Sequence, residues 1–389
     1  MDNLLAAAAD PQIGDWSARY ARTTPLRSRS AKYAWITVSG RQGMRAGARF
    51  LVLWPPRSAR YASGTATTAR CSGRLARMPR QKRSDLDFFN AAVELWDAEP
   101  EIGYLARLFT QTSLPYKEPK NNPAAWRRVN GNTQLIVRPG VIFGPDGEAV
   151  SLGYPFGSIP RLVLTWMSTE AVRTKSRDLV LGASLTEFMR KVGLIKDHEL
   201  PTGGKKGNGT RAKQQMERLF RSTVSVEYIG DENRQLGAQM SVASGYDLWW
   251  KPGSEDDQPS LMESMVRLSP EFFEQVVERP VPVDMQALML LRESPMRLDI
   301  YTWLTYRMSR LKKQTTVPWA SLKGQFGSEL ADTKQGNYQF KRDFKKRLAE
   351  VTTVYKEANV DVTDSGLVLR PSLTHVRKSP GFLALERGT

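Results

Sequence analysis

The sequence predicts an α+β protein: two tandem winged-helix domains preceded by a disordered basic N-terminal segment. Three observations predict it. The order helix, basic helix, paired strands is written twice, once before residue 250 and again between Pro282 and Pro371. Turn residues and alternating apolar residues separate these elements at domain-like spacing. Residues 1–77 carry neither period and differ in composition from everything after them.

The 389 residues allow two or three domains, and 40% hydrophobic against 25% charged residues is ordinary for a folded chain. The formal net charge of +17 is not ordinary and favours a polyanionic partner. Residues 1–77 hold 13 Lys+Arg against 3 Asp+Glu, whereas the rest hold 44 against 37. Any basic surface in the folded part must therefore come from local clustering. The expected organisation is a basic segment over 1–83, a first winged helix over 84–268, a linker over 269–282, a second winged helix over 283–376, and a tail over 377–389. Because patterned sequence starts just after Met78, residues 1–77 are read as lying upstream of a start at Met78, ahead of the alternative of a basic tail adding non-specific DNA affinity.

Residues 84–96 repeat Leu86, Phe89, Ala92, Val93 and Trp96 at helical spacing. Residues 101–111 extend that reading through Ile102, Leu105, Leu108 and Phe109. A polar loop is expected over 121–132, then a hairpin of 134–137 with 141–143 about Arg138-Pro139-Gly140, and a turn at Asp146-Gly147. Residues 159–176 form a helix and 179–181 a strand. Ser184 with Glu187 three residues on is a capping box, and Gly193 ends that helix. A glycine-rich loop, PTGGKKGNGT, leads to a basic helix over 210–222, and strands over 224–229 and 239–249 follow. A strand over 262–268 and a helix over 270–277 lead to Arg279-Pro280-Val281-Pro282, a stiff connector.

In the last domain Pro318 starts a helix with Trp319, Leu322 and Phe326 on one face, and Gly327 stops it. The expected recognition helix is 337–350, with Phe340, Phe344, Leu348 and Val351 as its buried stripe. Tyr338 and Gln339 stand in its first turn, and Lys341, Arg342, Lys345 and Lys346 lie off the stripe, where Gln can pair with adenine and Arg or Lys with guanine or phosphate. Residues 359–369 would be the wing, turning at Asp364-Ser365-Gly366 and bringing Arg370 near a phosphate. The first domain offers Lys205 and Lys206 in the loop and Arg211, Lys213, Gln214 and Arg218 on the basic helix. A solvated amphipathic face is the plainer reading of such a helix; the strand pair and matching first helix favour DNA.

One cysteine, Cys71, excludes an internal disulfide, and two isolated histidines, His198 and His375, argue against metal or triad chemistry. No metal, cofactor or enzymatic activity is expected. Asp284 and Asp299 read as a helix cap and an ion-pair partner. PTGGKKGNGT is not a nucleotide-binding loop by spacing. No apolar run reaches membrane-spanning length, and a cytoplasmic setting is expected.

Several stretches resemble a known family. RPVPVDMQALMLLRESPMRLDIYTWLTYRM, VPWASLKGQFG and GLVLRPS resemble the C-terminal part of RepA-type plasmid replication initiators. EIGYLARLFTQTSLPYKEP, GYPFGSIPRLVLTW and STEAVRTKSRDLVLGASLTEFMRKVGL resemble its N-terminal half, so that the likeness runs from about Phe88 to Val376. It implies a protein that binds direct repeats (iterons) in double-stranded origin DNA and opens adjacent AT-rich DNA. It also implies recruitment of the host initiator and the replicative helicase, a monomer–homodimer equilibrium and repression of its own gene. A winged-helix transcriptional repressor is the alternative.

Overall fold

A computed structural model describes residues 80–231, 234–250 and 263–376. The N-terminal segment through residue 79 with the expected start at Met78, the start of the expected strand at 262, and the tail 377–389 lie outside the described residues. What is described mixes helices with antiparallel sheets.

Helix α1 (Arg80–Asp97) leads into strand β1 (Ile102–Ala106) and one helical turn, α2 (Arg107–Gln111). The stretch over 101–111 is thus not one helix. Ile102 to Ala106 pair with a distant strand, β11 (Pro280–Asp284), and that pairing overrides the local helical spacing. The Arg279-to-Pro282 connector is therefore mostly strand. Pro280 and Pro282 lack an N–H, which a two-stranded ladder tolerates on its open side.

Strand β2 (Trp126–Asn130) occupies what reads as a polar loop, hidden by Arg127 and Arg128. It turns at Gly131, φ +58°, into β3 (Thr133–Arg138). The expected pairing of 134–137 with 141–143 does not form. Strand β3 lies between β2 and β7 (Thr223–Asp231), setting Leu135 opposite Val226 and Val137 opposite Val224, all buried. Burial of that apolar face outweighs the local turn. Strand β4 (Val141–Phe143) pairs instead with β5 (Ala149–Ser151) across Asp146-Gly147.

Helix α3 (Ser158–Thr174) is buried on nearly every side, as a central helix must be. Strand β6 (Asp178–Gly182) follows, then α4 (Leu185–Lys191), whose cap forms as read: Ser184 Oγ accepts the Glu187 N–H at 3.1 Å. Glu187 itself reaches the Ala183 N–H, one residue earlier than a capping box requires. Helix α5 (Asn208–Arg221) precedes β7 and β8 (Arg234–Ser241), completing a sheet of order β2-β3-β7-β8. Strands β9 (Ala243–Asp247) and β10 (Ser264–Leu268) join β6 in the order β6-β10-β9.

Helix α6 (Pro270–Glu278) is capped by Ser269 and leads to β11. Helices α7 (Met285–Leu291) and α8 (Pro295–Arg310) follow, α8 as buried as α3. Asp284 caps α7, accepting the Gln286 N–H at 2.9 Å. Arg161 of α3 and Asp299 of α8 form a buried two-pronged pair, Nε–Oδ1 2.7 Å and Nη2–Oδ2 2.9 Å. The same guanidinium donates to the Leu114, Pro115 and Gly157 carbonyls, so its charge is hydrogen-bonded as well as paired.

The chain ends in β12 (Thr315–Pro318), α9 (Trp319–Phe326), α10 (Lys334–Val354), β13 (Val360–Val362) and β14 (Gly366–Leu369). Their sheet order is β12-β14-β13. Strand β12 was not foreseen. It pairs β14 in a register that brings Gly366 opposite Pro318, where a Cβ would collide with the Val317 carbonyl.

Candidate nucleic-acid interface

Helix α10 contains the expected recognition segment and extends it at both ends. Thr333 caps it, accepting the Gly336 N–H at 3.1 Å. Phe340, Phe344, Leu348 and Val351 are buried as read. Trp319 of α9 meets the edges of Phe340 and Phe344 at 6.4 and 6.0 Å. These contacts hold the two helices together and turn the opposite face of α10 outward.

On that face Tyr338, 64% exposed, and Gln339 stand in the second turn, because the helix starts at Lys334, ahead of the expected 337. Lys345 and Lys346 are exposed and Lys341 is half-buried. Lys341 and Lys345 set their ammonium groups 5.4 and 5.5 Å from the centre of the Trp319 ring, which orients them without neutralising them. Arg342 is exposed but pairs with Asp343 at 3.0 Å. The β13–β14 hairpin stands after α10 as expected, closed by the Thr363 N–H to Gly366 carbonyl bond. Arg370 is bound into its base: it pairs with Asp361 and hydrogen-bonds Asn359 and Gln314. Sequence reading missed Lys323, a buried lysine on α9. Its ammonium holds the Ala331 carbonyl at 2.8 Å and the Asp332 carboxylate, fixing the turn into α10.

The first basic helix divides differently. Arg211 and Gln214 of α5, and Lys205 and Lys206 in the loop before it, are exposed. Lys213 reaches back to the Trp250 carbonyl at 3.0 Å. Arg218 is turned inward: it is 8% exposed, pairs with Glu118 at 2.8 Å, hydrogen-bonds the Tyr154 carbonyl and lies over Phe156. It holds the 153–156 loop and leaves the candidate surface. The cause is not visible in a helical projection, because loop residues from another part of the chain cover that side. The structure thus forms two separate basic patches, one on α10 and one before and along α5.

No group of three or more His, Cys, Asp or Glu among the described residues could hold a metal, and none of their helices is long and apolar enough to cross a membrane. His375 is half-buried. Its Nδ1 lies 2.8 Å from the Tyr301 hydroxyl, between the rings of Tyr301 and Tyr355.

With the geometry in place, comparison with known proteins gives one family. Residues 154–320 match the family of plasmid-encoded RepA proteins. This RepA match spans the stretch from Tyr154 in the loop before α3 to the second residue of α9. It contains α5 and the Arg161–Asp299 pair. It is narrower than the resemblance over 88–376, and α10 lies beyond it. Two crystal structures of domains 2 and 3 of RctB are similar. One has 11% identity and a TM-score of 0.43 over 68% of this chain and 95% of that one. The other has 12% identity and a TM-score of 0.41 over 67% and 94%. Likeness of that degree supports no inference about function. No curated protein matches the chain.

Proposed function

We propose that this protein is a plasmid replication initiator that binds double-stranded origin DNA through two winged helices. Helix α10 reads bases in the major groove and the β13–β14 hairpin serves as its wing. The observation that carries this reading is the exposed side of α10: Tyr338 and Gln339 in its second turn, followed by Lys341, Lys345 and Lys346, on a helix locked to α9 by Trp319. The RepA match supports replication as the purpose of binding. Under this reading the sites are direct repeats, and binding opens neighbouring DNA and recruits the host initiator and helicase. A monomer–dimer balance and repression of its own promoter set copy number, and no catalytic step belongs to the protein.

The test is binding to duplexes from the DNA flanking the gene, with footprinting to locate the sites. Replacing Lys341, Arg342, Lys345 and Lys346 together by Ala should weaken binding and lower the slope of log K against log salt by about 2–4, since each lost phosphate contact removes roughly 0.9. Undiminished binding by that variant would remove α10 from the interface. A single inverted repeat at a promoter, with no origin repeats, would make the protein a repressor.

A further inference from the structure

The ladder between β1 and β11 ends with Ala106 opposite Pro280. In antiparallel register the next residue on one strand and the preceding one on the other leave at the same end. They are Arg107, which starts α2, and Arg279, which directly follows α6. Helix α8 closes the same corner with its last residue, Arg310. Arg107 and Arg310 both lie over the buried ring of Tyr306, their guanidinium carbons 5.8 and 5.3 Å from its centre. The Tyr306 hydroxyl is held in turn by Gln111 of α2 at 3.3 Å. Among the described residues no carboxylate pairs with any of the three arginines. Arg279 and Arg310 are exposed and Arg107 is half-buried. The arrangement is a forked, unneutralised cationic corner on a rigid support.

We infer that Arg107, Arg279 and Arg310 form a separate anion site that takes a phosphodiester group of the DNA backbone. The inference rests on the proposed DNA-binding function and extends the interface to a place that none of the basic helices supplies. Guanidinium groups present paired N–H donors that match phosphate oxygens two at a time. Three like charges gathered without a counter-ion repel one another, and a bound phosphate relieves that repulsion. The ionisation of Arg107 agrees: burial, and then the charges of Arg310 and Arg279, hold its guanidinium below its ordinary value, while the Tyr306 phenol acts in the opposite sense. Contacts here would be blind to base sequence and would anchor the junction of α2, α6 and α8 on the duplex.

The experiment measures binding of the full chain to an origin duplex and to an unrelated duplex between 50 and 200 mM salt. Arg279→Ala with Arg310→Ala removes two exposed side chains, so the fold should persist and the thermal melt should fall only slightly, through loss of the Arg310 contact with the Tyr306 ring. Two lost contacts lower the salt slope by about 1.8, which makes the affinity loss across that range about 10-fold smaller than in wild type, on both duplexes alike. Arg279→Lys with Arg310→Lys should recover most of the slope, as charge and not shape sets it. If the Ala pair keeps the wild-type affinity and slope while Lys345→Ala with Lys346→Ala weakens binding, this site is wrong and the proposed function stands. If wild type binds neither duplex, both are wrong. Failure of the Lys pair to restore the slope would also overturn the site.

Discussion

His375 shows how little a residue's type says about its use. In sequence it is an isolated histidine near the end of the chain. In the structure it joins the last described segment to the core, held by Tyr301 of α8 and stacked on Tyr355 beyond α10, and the Tyr355 hydroxyl donates to the Leu373 carbonyl. Burial is the main cause that lowers its pKa from the ordinary value near 6.5; Lys356 acts in the same direction, and Glu357 opposes it. A histidine with a lowered folded pKa binds fewer protons folded than unfolded, so its contribution to stability is complete above its unfolded value and is lost as pH falls below about 6.5. The urea midpoint should therefore fall between pH 7.5 and 5.5. In His375→Gln that fall should be smaller, although the variant starts lower. An equal fall in both would assign the acid sensitivity to other groups. Arg218 makes the same point: it reads as a surface cation on the basic helix, and it is buried and paired with Glu118.

At the scale of elements, legibility followed the range of the forces that set each one. The body of helix α10, its stripe and its hairpin were readable because period and turn are local in the chain; its Thr333 cap and first turn were not read. So was α4, with its Ser184 cap. The misreadings were strands whose partners are distant. Strand β1 pairs with a segment nearly 180 residues away, and β3 chooses β7 over its sequence neighbour, so local pattern alone could not find either ladder. The candidate surface divides in the same way. Residues exposed by the helical period of α10 were found, while Arg218 and Arg370 were misplaced because groups outside their own elements bind them. The packing of α10 on α9 gives a direct test. Phe344 touches Trp319, Phe326 and Phe340 and is fully buried, so Phe344→Ala should cost about 3–5 kcal/mol in a urea titration. A cost under about 1 kcal/mol would mean the aromatic cluster does not fix α10.

For the whole molecule, the question is whether residues on either side of 269–282 fold separately or together. Several contacts join them. Strand β1 pairs with β11, and the Trp96 indole N–H donates to the Thr353 carbonyl at 2.9 Å. Arg128, fully buried on β2, sits between Trp126 and Tyr116, and donates to Ser113 at 2.7 Å and to the Gln325 carbonyl of α9 at 3.1 Å. The Arg161–Asp299 pair links the two central helices. Contacts of this kind are lost together, because opening either side exposes a charge or an apolar face on the other. A chain of residues 80–376 should then melt in one transition whether followed by tryptophan fluorescence or by circular dichroism. Asp299→Ala leaves Arg161 buried without its partner and should lower the stability of that single transition by about 3–5 kcal/mol. If wild type instead melts in two steps, and Asp299→Ala moves only one of them, the two sides are independent domains joined by a linker, and α10 could be isolated with 283–376 alone.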